Sequence, residues 1–145
     1  MQTNISELIG LLPQKAPFLF VSEVIELVIR EHCIAKRYVD ESEYYFRGHF
    51  PGKPIMPGCL IIESIAQTAG LMFLLEREGE QPQEVYLAQI KKATFYYPVM
   101  PGDTLIVETK LIRILGNMME IKGEVKVGGR RIATAGMYLA TGPQF

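Results

Sequence analysis

Residues 59–78, CLIIESIAQTAGLMFLLERE, contain no proline and place apolar side chains at almost every angle of a helical wheel. A helix on a protein surface keeps a polar face, and this one has none to offer. It must be wrapped by the rest of the chain, and the rest of the chain reads as β-structure. Pro57 is tolerated in a first helical turn and the next proline is Pro82, so the spacing predicts one helix over 59–78, about 30 Å long. Small residues, Ser64, Ala66, Ala69 and Gly70, permit close packing against it. Glu63, Ser64, Gln67 and Thr68 make the same stretch too polar to cross a bilayer, so no membrane insertion is expected.

The flanking segments supply the cover. Asn4 and Glu7 have capping-box spacing ahead of Ile5, Leu8, Ile9, Leu11 and Leu12, which predicts a short opening helix ended by Pro13. Residues 18–39 are rich in Val, Ile, Phe and Leu and read as two strands with a turn at 28–32. Beyond the helix, strands are predicted at 85–96, 104–115, 118–127 and 130–140, with turns at 98–102, Gly116-Asn117 and Gly128-Gly129. Between the second strand and the helix, residues 40–58 hold so many Gly and Pro that regular structure is not expected there. No linker or repeat divides the chain, so residues 1–145 are expected to form one α+β domain. One sheet covers only one side of the helix, and a second copy of the chain is the simplest cover for the other.

Several classes of function are disfavoured by composition. Fifteen Lys plus Arg against sixteen Asp plus Glu leave a net charge of −1, which offers no field for a nucleic-acid backbone. Two cysteines and two histidines form no CxxC or Cys/His ligand cluster, so neither a disulfide scaffold nor a metal centre is expected. The amino terminus has no basic-then-apolar export pattern, and a reducing cytoplasm is the expected location. Gly128-Gly129-Arg130 lacks the strand-to-helix context and spacing of a phosphate loop, so no nucleotide cofactor is signalled.

Candidate chemistry lies in the polar residues placed among apolar ones. Glu63 sits between Ile62 and Ile65, and Gln67, one turn on, can hold its carboxyl in one rotamer. The alternative is a Glu63 that reaches solvent or pairs with a lysine. His49, between Gly48 and Phe50 in the breaker-rich loop, carries the side chain suited to proton transfer near neutral pH, although an isolated histidine is also a common structural residue. His32, in a strand without such neighbours, reads as structural. Gly58 and Cys59 open the helix, where unpaired backbone N–H groups suit a developing oxyanion, although Gly58 also has the plain role of turning the chain. Cys59 as a thiolate nucleophile is a further, less favoured reading beside plain packing.

The segment 48–67, GHFPGKPIMPGCLIIESIAQ, closely resembles the signature of the bacterial 3-hydroxyacyl-[acyl-carrier-protein] dehydratases of the hot-dog fold, the type with a glutamate on the helix. LLPQKAPFLFVSEV resembles the family's LLPHRxPFLLVDRV, and YYPVMPGDTL is similar to its PVxPGDxL. The resemblance implies a sheet wrapped around one central helix and elimination of water from 3-hydroxyacyl thioesters. It implies His49 and Glu63 as catalytic groups, Gly58 and Cys59 as amide donors to the thioester carbonyl, Gln67 in support, and Tyr86, Phe50 and Phe95 along the acyl tunnel.

It also implies a homodimer whose sites are shared between subunits, with a trimer of dimers as a further assembly. The partner is acyl carrier protein, whose phosphopantetheine arm carries the substrate, and no other cofactor is expected. Arg47, Lys53, Lys91 and Lys92 are candidate contacts for that acidic protein, or simply solvated surface. Gln14 and Ser22 depart from the family's usual histidine and aspartate. Cys59 occurs in the related dehydratase-isomerases, whereas Glu63 belongs to the plain dehydratases. A hot-dog thioesterase and a non-catalytic acyl-thioester-binding module are the alternatives.

Overall fold

In the computed structural model, which describes residues 4–74 and 83–142, the chain builds six strands around one helix. Two strands come first, β1 (Glu23–Val28) and β2 (His32–Tyr38). The helix α1 (Gly58–Gly70) follows, and then β3 (Val85–Phe95), β4 (Thr104–Leu115), β5 (Met118–Val127) and β6 (Arg130–Thr141). All neighbours in the sheet are antiparallel, in the order β1-β2-β4-β5-β6-β3. This is the hot-dog arrangement, with the helix as filling and the sheet as wrap.

The strands fall where the alternation placed them, and Gly128 and Gly129, both at positive φ, make the tight β5–β6 turn. Three elements differ from expectation. The opening helix is a 3-10 helix over Ile5–Leu11, with the Asn4 side chain accepting from Ser6 N–H. The loop 40–58 is not wholly irregular: Tyr44–Arg47 forms one 3-10 turn that buries Tyr45 and Phe46. The central helix is thirteen residues long and tightens after Gly70 into a 3-10 turn, Leu71–Phe73. Glycine is a weak helix former, and 3-10 geometry commonly ends an α-helix. Residues 75–78 of the expected helix lie outside the described residues.

Five register shifts, in β1, β3 (twice), β4 and the β5–β6 pair, mark β-bulges or irregularities. Each bulge adds twist and bend, and together they let the sheet curl over α1. The contact is closest at Gly123 on β5, where an added Cβ would lie 2.4 Å from Ile65 Cγ2. Ile65 is fully buried there together with Val107, Ile121 and Val125.

The sheet leaves one stripe of the helix uncovered. Cys59, Glu63 and Ala66 lie on one helical face and retain solvent access, whereas Ile61, Ile62 and Ile65 are buried. The two sheet edges also differ. β1 runs for six residues, whereas β3 runs for eleven, carries two register shifts with Lys91 and Lys92, and leaves Ile90 and Phe95 nearly half exposed.

Gly123→Ala is expected to destabilise the fold by about 1–3 kcal/mol through overpacking. Combining it with Ile65→Ala should cost less than the two single changes added together. Urea denaturation of the single and double variants measures both; strict additivity would mean that Gly123 is not the seat of Ile65.

Candidate active site

His49 is held by its own loop. Its backbone N–H donates to Tyr45 O (3.1 Å), its carbonyl accepts from Ile55 N–H (2.8 Å), and its ring Nδ1 lies 2.7 Å from Ile55 O. A carbonyl oxygen only accepts, so Nδ1 carries a proton, and in the neutral ring Nε2 is the acceptor. The Phe50 ring stacks on the imidazole at 4.1 Å. The imidazole faces a groove of about 370 Å³ lined by Met56, Gly58, Ile61, Phe95 and Tyr97 among others.

The floor of that groove is the start of α1. Helical bonding begins with Leu60 and Ile61 N–H on the Pro57 carbonyl, so the Gly58 and Cys59 amides precede the first bonded turn. A Cβ at Gly58 would lie 3.1 Å from the Phe95 ring, so a side chain there would need that ring to shift. Cys59 is exposed, whereas Cys33 is buried and its thiol is pushed up to about 12 by desolvation.

Glu63 is half-buried on the uncovered stripe, and burial raises its pKa above the ordinary carboxylate value, against the opposing effect of a hydrogen bond from Gln67 Nε2 to Glu63 Oε1 (3.1 Å). Gln67 in turn donates to Phe18 O (3.0 Å) and accepts from Phe20 N–H (2.8 Å), while Ser64 Oγ donates to Phe20 O (2.8 Å). The strap 18–20 is thus sewn to the helix that carries the carboxyl. Sequence reasoning found Gln67 but treated Ser64 only as a small residue. Its position one turn before Thr68, which donates to Ser64 O, on a fully buried face was the available signal.

Within one chain, Glu63 does not line the groove that holds His49. Of the three aromatic residues expected along a tunnel, Phe95 lines it, Phe50 covers the imidazole, and Tyr86 lies about 30 Å away along β3. Tyr86 borders a separate groove of about 480 Å³ with Gln83 and Thr141, and its hydroxyl donates to the Glu84 carboxylate. Lys91 is engaged by Glu120 at 2.6 Å, and Arg47, Lys53 and Lys92 are exposed. At the two departures, Ser22 Oγ accepts from Tyr38 N–H (2.9 Å) and Gln14 Oε1 is buried without a partner among the described residues. Among the described residues no three His, Cys, Asp or Glu side chains converge on a common point, and no helix is long and apolar enough to cross a membrane.

The FabA-like domain family model matches residues 12–136. The 3-hydroxyacyl-[acyl-carrier-protein] dehydratase FabZ of Enterococcus faecalis is 39% identical over 142 residues, covering 98% of this chain and 100% of that protein. The FabZ dehydratase of Myxococcus xanthus is 40% identical over 139 residues, covering 95% and 90%. The chain belongs to the FabZ-type dehydratases of the FabA-like family.

Solved structures match this dehydratase fold at lower identity. An uncharacterised protein from Pyrococcus horikoshii aligns with TM-score 0.70 at 14% identity, covering 99% of this chain and 96% of that one. The dehydratase heterocomplex ApeI:P from Xenorhabdus doucetiae gives 0.62 at 21%, covering 81% and 96%. A hypothetical thioesterase from Streptococcus pneumoniae, solved with coenzyme A, also gives 0.62, at 14% identity and covering 84% and 86%. At such identities the shared property is the fold, which dehydratases and a thioesterase hold in common.

Glu63→Gln keeps the acceptor for Gln67 and removes the cost of a buried charge. A carboxyl whose folded pKa is raised makes the protein lose stability as pH rises from the ordinary value through the raised one. The variant is therefore expected to melt above the wild type at pH 8 and to match it below pH about 4.5. Thermal denaturation at the two pH values checks this; an equal or lower melting temperature at pH 8 would mean that the carboxyl is solvated.

Proposed function

We propose that the protein eliminates water from 3-hydroxyacyl thioesters carried on acyl carrier protein, giving trans-2-enoyl thioesters in fatty-acid synthesis. The observation that carries this reading is an imidazole held by its Nδ1 on Ile55 O at a groove floored by the helix start, in a chain whose helix also carries a carboxyl with a pKa raised by burial. In the proposed step, His49 Nε2 takes the C2 proton while the Gly58 and Cys59 amides polarise the thioester carbonyl and stabilise the enolate-like oxygen. The C2 electron pair forms the double bond, the C3–O bond breaks, and Glu63 delivers its proton to the departing hydroxyl as water. His49 is left protonated and Glu63 ionised, and proton exchange through solvent restores both. The reaction transfers no electrons to or from the protein, so its chemistry calls for no redox partner.

A two-fold dimer completes the site. Antiparallel pairing of β3 with its own copy sets the amino-terminal end of one strand against the carboxyl-terminal end of the other. The partner's Tyr86 then approaches Phe95 at the groove of His49, and the uncovered stripe bearing Glu63 turns toward the second subunit. This accounts for the separation of His49 and Glu63 within one chain, for the long exposed β3 edge, and for the uncovered stripe on the helix. A trimer of such dimers and the cytoplasm are part of the same reading.

His49→Ala and Glu63→Gln are each expected to lower turnover by about 100-fold or more while the fold is retained. Co-refolding the two inactive variants is expected to restore about a quarter of wild-type activity, because half the dimers are mixed and each mixed dimer holds one intact site. The assay follows enoyl product and free thiol together by mass spectrometry on a 3-hydroxyacyl carrier-protein substrate. Thiol release without enoyl product would point to a thioesterase instead. Retained turnover in Glu63→Gln would overturn the acid role, and no complementation would overturn the shared site.

A further inference from the structure

Alternation along β2 turns Cys33, Ala35 and Arg37 toward the core, and the third of these is a charge: Arg37 is 8% exposed. Its guanidinium lies 5.1 Å from the centre of the Phe20 ring, and Nη1 donates to Tyr38 O (2.7 Å). Nη2 donates to Glu43 Oε2 over 2.5 Å. Surface ion pairs add little to stability, and buried ones seldom repay their desolvation, so a pair on a core face calls for a geometric explanation.

Glu43 stands at the entrance of the loop that carries His49. Its other carboxylate oxygen accepts from Asp40 N–H (3.1 Å), and its carbonyl accepts from Phe46 N–H (3.2 Å), opening the 3-10 turn. Two residues on, Tyr45 O receives His49 N–H, and the imidazole closes on Ile55 O. From Arg37 to the catalytic ring, consecutive hydrogen bonds run through residues 43, 45, 46 and 49 without a gap longer than one peptide unit. The guanidinium has a fixed fork and the sheet holds its base, whereas the loop is otherwise a chain of glycine and proline turns.

We propose that Arg37 and Glu43 are positioning residues for His49: the part-buried ion pair fixes the first turn of the loop, and that turn sets the imidazole against Ile55 O with Nε2 aimed into the groove. This rests on His49 being the base of the proposed dehydration.

Glu43→Gln preserves shape and a carbonyl acceptor while removing the charge. Loss of alignment at the base is expected to lower kcat about 10- to 100-fold, with KM within about threefold of wild type. Nitrogen-15 NMR of histidine-labelled, substrate-free protein is expected to show the Nδ1–H tautomer of His49 in the wild type and a tautomer mixture in the variant. Arg113→Gln, which breaks the Arg113–Glu120 pair at 2.6 Å on an exposed side chain, serves as the control and should leave both readouts unchanged. Arg37→Lys keeps the charge without the fork and should give an intermediate result; it decides the question if Glu43→Gln melts below the assay temperature. A folded variant with wild-type kcat and an unmixed Nδ1–H tautomer overturns the proposal. A mixed tautomer with unchanged kcat would uphold the positioning and instead remove His49 as the base.

Discussion

Gln67 uses its whole amide. Oε1 takes the Phe20 N–H, and Nε2 donates both to Phe18 O and to Glu63 Oε1. The arrangement has only one orientation, since a flipped amide would set a donor against Phe20 N–H and a lone pair against Phe18 O. A buried glutamine that could satisfy itself in two ways would leave the strap and the carboxyl loosely placed. Because it cannot, the segment ahead of β1, the helix and the carboxyl form one rigid body, and Ser64 adds a second stitch at Phe20 O. The same Phe20 carries Arg37 over its ring, so this body reaches the root of the His49 loop as well.

That body depends on the sheet coming close. Ile65 occupies the space a side chain at position 123 would need, and the bulges curl the flanking strands over the rest of the helix. A six-stranded sheet cannot also cover the opposite side of α1. The uncovered stripe is therefore a consequence of the architecture, and the one carboxyl on the helix stands on it. Placement at the boundary leaves Glu63 dry enough for its pKa to be raised by desolvation yet still in contact with solvent.

Legibility in the sequence followed the range of the interactions. The strands were readable because alternation is local, and their ends differ by one residue or none from those expected for β3 to β6. The helix was readable as apolar all round, but its length was not: nothing local distinguishes an α-turn from the 3-10 turn at Leu71–Phe73. Gln67 beside Glu63 was legible from i,i+4 spacing, whereas the strap it binds lies nearly fifty residues away in the chain. Arg37 was missed because a charge at the end of a strand normally marks solvent. Its phase with Cys33 and Ala35 was the signal, and the partner that makes it tolerable, Glu43, sits in a loop where no regular structure was expected.

The fold by itself does not choose between dehydration and thioester hydrolysis, since a thioesterase shares it. Protonation does. Hydrolysis needs the helix carboxyl ionised, so that it can strip a proton from water beside the thioester carbonyl. Desolvation pushes Glu63 the other way, toward an acid that can give a proton up. The imidazole is biased in the complementary sense, because Ile55 O holds the proton on Nδ1 and leaves Nε2 to accept. In the proposed shared site, a group that donates and a group that accepts, with the helix-start amides at the carbonyl, would match the demands of an elimination, in which a proton leaves C2 and another arrives at the C3 oxygen.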